Sequence, residues 1–125
     1  MEAHLTPRTA VAPGPDHGRL APIDSRGLHI DGGMWADRRA INRTRTIPHG
    51  FAHLESSGAL GNFRNAARGT GLYVGGNDDA GATFPFLDSD VYKWLEAAAW
   101  ELGREEDPAL RQMADQAISL VSGAQ

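Results

Sequence analysis

The sequence predicts an all-α protein made of short helical hairpins, preceded by an extended leader and one short strand. Three observations carry that expectation. Between residues 86 and 125, apolar residues recur at three- and four-residue spacings through two segments separated by a polar turn. Each segment opens on helix-start residues, Asp88-Ser89-Asp90 in the first and Asp107-Pro108 in the second. Upstream, from Met34 to Arg68, the same spacing returns in three shorter runs punctuated by Pro48, Gly58 and Gly69.

Residues 1–26 carry Pro7, Pro13, Pro15, Pro22, Gly14 and Gly18 with no apolar periodicity, and read as an extended or disordered leader. Residues 27–125 read as one helical portion. At its start, Leu28 and Ile30 alternate with polar neighbours before the glycine pair Gly32-Gly33, which suits one short strand over Gly27–Gly33. From Met34 to Thr46, Trp35, Ala36, Ala40 and Ile41 fall among Arg38, Arg39, Arg43 and Arg45 in the pattern of an amphipathic helix. Pro48 should interrupt it, because the residue before a proline disfavours the helical region. A new helix over Pro48–Ser57 then uses the proline at its first position, packs Phe51 and Leu54, and stops at Gly58. A third, Leu60–Arg68, places Leu60, Phe63 and Ala67 on one face and ends at Gly69.

The stretch Gly69–Leu87 is rich in turn formers, with Tyr73, Val74, Phe84 and Phe86 as isolated anchors and Asn77, Asp78 and Asp79 as turn residues. A connection this long suits a functional loop or lid, or else a mobile insertion. Asp88, Ser89 or Asp90 can each cap the helix that follows, whose stripe is Val91, Trp94, Leu95, Ala98 and Leu102. Ala97, Ala99 and Trp100 carry the apolar surface further round, which predicts cover on more than one side. Gly103 closes this helix, Asp107 caps the next, and Leu110, Met113, Ala114, Ala117, Ile118 and Val121 form its stripe.

Composition narrows the function classes. Formal net charge is −4, and eleven arginines against the single Lys93 are scattered without a clustered stripe, so nucleic-acid binding has no electrostatic support. A secretory start is absent from Met1–Leu28 and no apolar run approaches membrane-spanning length, so a cytoplasmic protein without a membrane partner is expected. With no cysteine, the chain holds no disulfide, thiolate metal site or thiol nucleophile.

Among polar residues, Asp88 and Asp90 are the close carboxylate pair beside an aromatic-bearing loop. Such a pair can accept hydrogen bonds from sugar hydroxyls or do acid–base work, alongside a primary role in capping. His49 and His53 share the i, i+4 spacing of a chelating pair, but Gly50-Phe51-Ala52 between them breaks the metalloprotease pattern; with His4, His17 and His29 they read as surface or capping histidines. Trp94 and Trp100 fit core positions better than sugar-stacking platforms. Gly75-Gly76 lacks the helix and lysine of a phosphate loop.

Three blocks in order, GGMWADRRAINRTRTIPHGFAHLE at Gly32–Glu55, NFRNAARG at Asn62–Gly69 and FLDSDVYKWLEAAAWELGREEDPALRQMADQAISLVSGAQ at Phe86–Gln125, resemble the amino-terminal part of glycoside hydrolase family 127, the β-L-arabinofuranosidase-like enzymes. The resemblance implies part of an (α/α)6 barrel of paired inner and outer helices. It implies retaining hydrolysis of L-arabinofuranosides, with a cysteine nucleophile at a cysteine- and glutamate-ligated zinc and a glutamate general acid, all in later parts of the barrel. The family pattern continues past Gln125, so the chain resembles a truncated portion, and the residues around Asn77–Thr83 depart from a shorter family loop.

On that resemblance, Phe86, Asp88, Ser89 and Asp90 are the expected substrate-binding residues, at the mouth of an inner helix, and no catalytic residue or metal ligand is expected in this chain. The partner expected is a carbohydrate substrate of the full-length enzyme. Alternatives are a non-catalytic helical binding module and a half that complements a separate chain bearing the zinc segment. A six-hairpin barrel cut to its first elements should expose an apolar flank at Trp94–Trp100 and Ile118–Val121.

Overall fold

The computed structural model describes residues 27–75 and 86–125. The leader and the turn residues Asn77–Thr83 lie outside them. The described residues form five α-helices, α1 (Gly33–Ile41), α2 (Ile47–Ser56), α3 (Ala59–Ala67), α4 (Asp88–Leu102) and α5 (Pro108–Gly123), with a π-helical turn at Asn42–Thr46. The all-α expectation holds.

The strand expected at Gly27–Gly33 does not form. Two alternating apolar residues without a neighbouring strand have no ladder to join. Leu28 and Ile30 are exposed, and Gly33 already opens α1.

Pro48 does not break the helix before it, contrary to expectation. Ile47 keeps helical angles (φ −65°, ψ −48°), and α1 runs through the π turn into α2. Proline cannot donate to the carbonyl four residues back, and its ring crowds that carbonyl. Here the register changes just ahead of it: the Ile47 N–H bonds to the carbonyl of Asn42, five residues back. The missing proline donor therefore falls where the bonding pattern is already shifting, and Thr44 turns its hydroxyl to the Ala40 carbonyl at 2.7 Å.

The core is built from two hairpins. Ile47 and Leu54 of α2 and Ala59 and Leu60 of α3 meet Val91, Trp94, Ala98 and Leu102 of α4 and Leu110, Ala114 and Ala117 of α5. Helix α4 is central, packing on α2, α3 and α5, while α3 also touches α5. Trp94 fixes the α2–α4 contact: its indole N–H donates to the Ile47 carbonyl at 2.8 Å, and its ring lies 4.9 Å from that of Phe51. Gly50 permits this approach, since a Cβ there would sit 3.1 Å from the Trp94 ring.

The apolar face of α1 is open, and the cover expected on more than one side of α4 is corrected. Helix α1 contributes no buried residue, and Trp35 is 66% exposed. Helix α4 is covered on one side only; Ala97, Ala99 and Trp100 are exposed, whereas Trp94 is inside. The exposed apolar flank is thus Trp100 with Ile118, and Val121 is half-buried.

The ends of the helices follow their sequence signals unevenly. Asp107 caps α5 as expected, accepting from the Ala109 and Leu110 N–H groups at 3.0 and 3.1 Å. Helix α3 closes in a Schellman turn, with Gly69 N–H on the Ala66 carbonyl and Thr70 N–H on that of Asn65. Helix α2 passes to α3 through the single left-handed Gly58, and Arg64 grips Glu55 across that corner through two bonds of 2.7 and 2.9 Å. The Arg64 guanidinium holds the Glu55 carboxyl below its ordinary range.

Arg43, on the π turn, joins the first helices to the α4–α5 hairpin. It pairs with Glu101 at 3.3 Å and donates to the Glu105 and Glu106 carbonyls at 3.3 and 3.0 Å, with Glu105 and Asp107 carboxylates nearby. Glu101 is buried in the last turn of α4, where the helix end is already negative. Arg43 offsets both charges.

Candidate functional site

The start of α4 gathers the four residues singled out in the sequence. A turn at Phe86-Leu87 feeds directly into the helix, because Leu87 already has helical angles (φ −64°, ψ −22°) and stands at the N-cap. The capping expected of Asp88, Ser89 or Asp90 is not made; there is no side-chain cap. A capping side chain must come from the residue that precedes the first helical turn with extended angles, and these three lie inside that turn. The Ser89 hydroxyl instead donates to the Phe86 carbonyl at 2.8 Å, beside its own N–H at 3.1 Å, which folds the turn.

The consequence is chemical. Asp88 and Asp90 are exposed in the first turn of α4, where the positive helix end favours anions. Asp90 receives the Lys93 ammonium at 3.2 Å in a largely solvated pair. Phe86 is 57% exposed one turn earlier. Carboxylates that accept hydrogen bonds beside an exposed aromatic ring form the kind of surface that holds a polyhydroxylated ligand with one apolar face.

Beyond these four residues, Tyr73 contacts the turn and Asn62 fixes the segment next to it. The Leu87 N–H donates to the Tyr73 hydroxyl at 3.4 Å, and Asn62 of α3 binds Val74 in both directions. Tyr73 reads as an isolated loop anchor in sequence, and Asn62 as a polar position on a short helix. The available signal was their position, one in a turn-rich stretch and the other in a block shared with a known family.

The other candidate surfaces are of different character. A groove of about 660 Å³ between α4 and α5 is lined by Leu95, Ala99, Ala114 and Ile118 together with Glu96 and Asp115, and includes none of Phe86, Asp88, Ser89 and Asp90. His49 and His53 are exposed on α2. Among the described residues no three His, Asp or Glu side chains come together as a metal site, and the chain contains no cysteine. A cysteine- and glutamate-ligated zinc therefore does not fit the residues present. No described helix is long and apolar enough to cross a membrane.

The family described as "Beta-L-arabinofuranosidase, GH127 catalytic domain" matches residues 28–125, a span that contains all five helices and the Phe86–Asp90 turn. The non-reducing end β-L-arabinofuranosidase of Bifidobacterium longum subsp. longum is similar over 48 residues at 46% identity, which is 38% of this chain and 7% of that enzyme. No solved structure matches. With the family pattern running through every described helix, the chain belongs to the GH127 β-L-arabinofuranosidase catalytic-domain family.

Proposed function

We propose that this chain supplies the opening helices of a glycoside hydrolase domain acting on β-L-arabinofuranosides, and that its own part in the chemistry is to bind sugar. In this reading Phe86, Asp88, Ser89 and Asp90 form part of the pocket rim. Asp88 and Asp90 accept hydrogen bonds from ring hydroxyls, the Phe86 ring covers an apolar face of the furanose, and Ser89 keeps the turn closed. The observation that carries the proposal is the family match across residues 28–125, joined to an α4 start whose carboxylates are not used as caps.

The proposal includes an absence of hydrolysis by these 125 residues alone. Support comes from the sequence, which has no cysteine to serve as nucleophile or zinc ligand. Zinc, nucleophile and general acid belong in this reading to residues outside the chain, whether on the same polypeptide or on a complementing one.

The test is an activity assay paired with a binding assay. Purified chain, with and without added zinc, should release no p-nitrophenol from p-nitrophenyl β-L-arabinofuranoside above the buffer rate, yet bind methyl β-L-arabinofuranoside weakly, with Kd on the order of millimolar. Turnover by the chain would refute the first part, and binding no different from that of methyl β-D-glucopyranoside would refute the second.

A further inference from the structure

We propose that Asn62 is a positioning residue for the Phe86–Asp90 site, acting on the start of α4 through Val74 and Tyr73; the inference rests on the sugar-binding reading of that turn. Asn62 lies on α3, well away in sequence, and its carboxamide does for Val74 what a neighbouring β-strand would do. Nδ2 donates to the Val74 carbonyl at 2.9 Å, and Oδ1 accepts the Val74 N–H at 2.7 Å. Both backbone groups of one residue are thereby fixed by one side chain.

The clamp works because the segment is laid tightly on the α2–α3 corner. A Cβ at Gly58 would meet Val74 Cγ1 at 3.2 Å and the Val74 carbonyl at 3.3 Å. A Cβ at Gly75 would lie 2.5 Å from the Ser57 carbonyl. Both glycines have positive φ, +88° and +89°, so neither position suits a side-chain-bearing residue on backbone or on space. The corner beneath is braced by the Glu55–Arg64 pair.

From this fixed segment two contacts reach the site. The Tyr73 hydroxyl, next to the clamped Val74, takes the Leu87 N–H at 3.4 Å, one of the helix-start donors that no side-chain cap satisfies. At Gly75, the built Cβ position is 3.3 Å from Leu87 Cδ1, so the main chain there sits close to the Leu87 side chain. Leu87 immediately precedes Asp88. The register of the two carboxylates is thus read from α3, through Asn62, rather than from a cap of their own.

The experiment compares the parent chain with N62L, N62A and Y73F by ¹⁵N-resolved amide spectra, amide exchange and titration with methyl β-L-arabinofuranoside. In N62L the Val74 amide should exchange faster by on the order of tenfold, since its acceptor is gone. The Leu87, Ser89 and Asp90 resonances should move while those of Leu60, Ala98 and Ala114 stay, and sugar affinity should fall severalfold. Y73F, which removes one hydroxyl, should move Leu87, Ser89 and Asp90 as well, and N62A, which removes both Val74 bonds without added bulk, should do the same and decides the matter if N62L fails to fold. Leu87–Asp90 resonances unchanged in the folded variants would overturn the proposal. A parent chain that shows no sugar response would instead sink the sugar-binding reading, while the amide comparison still stands on its own.

Discussion

Replacing Arg43 tests how the first helices are held to the α4–α5 hairpin. Arg43→Met keeps most of the aliphatic stem, so the loss is chiefly electrostatic. Its partner Glu101 has a side chain only 8% exposed, and that of Arg43 is 15% exposed. Breaking a buried pair by removing one partner costs about 3–5 kcal/mol, because the remaining charge is stranded. The bonds to the Glu105 and Glu106 carbonyls add little, as both acceptors lie in an exposed turn where water replaces the guanidinium. The pairs with Glu105 and Asp107 are more solvated still and add at most a few tenths of a kcal/mol. A loss of about 3 kcal/mol is therefore expected for R43M, read as a lower urea midpoint by circular dichroism. Glu101→Gln in the same background should recover much of it, because the stranded charge is gone, with a coupling energy of about 1–3 kcal/mol in the double-mutant cycle. An R43M variant within about 0.5 kcal/mol of the parent would refute the reasoning.

Three further outcomes are expected. Trp94→Phe should cost about 1–2 kcal/mol by urea melting, since it deletes the buried bond to the Ile47 carbonyl and leaves space beside Gly50. Asp107→Ala should cost about 1 kcal/mol through the lost cap on α5, and Asp107→Asn should recover most of it. Glu55 has a depressed folded-state pKa through Arg64, so its contribution is present above the unfolded glutamate value of about 4.3 and lost as pH falls through the depressed value. Because the pair is partly solvated, Glu55→Gln should remove only about 0.5 kcal/mol of that acid sensitivity, seen by comparing urea midpoints at pH 7 and in the acid range.

The helices were legible where local signals and packing agree. Asp107-Pro108 marks the start of α5 because a cap and a first-turn proline are local chemistry, and Val91, Trp94, Ala98 and Leu102 mark the buried face of α4 because the 3.6-residue period selects one side of a cylinder. Pro48 misled because its effect depends on the turn before it, where a π register absorbs the missing donor. The apolar face of α1 is open, which its pattern could not show because amphipathicity states which side is apolar and not whether anything covers it. Glu101 and Arg43 stand 58 residues apart, and a charged residue within an apolar helix gives no sign of its partner.

At the site, the Phe86–Asp90 cluster was visible because its members are neighbours in sequence. Its supports were not. Tyr73 reaches the turn, and Asn62 reaches Val74 beside it, only after α3 and the following segment fold against the α2–α3 corner, a relation with no periodic trace. The carboxylates themselves look like caps in sequence, and only the helical angles of Leu87 release them from that role.

The central claim is that the start of α4 binds the sugar. Its most direct test is an amide-resolved titration of the parent chain with methyl β-L-arabinofuranoside. Saturable shifts concentrated at Phe86–Val91, and diminished in Asp88→Asn/Asp90→Asn, are expected. Shifts centred on the α4–α5 groove at Ala99, Ala114 and Ile118, or none at all, would contradict the claim.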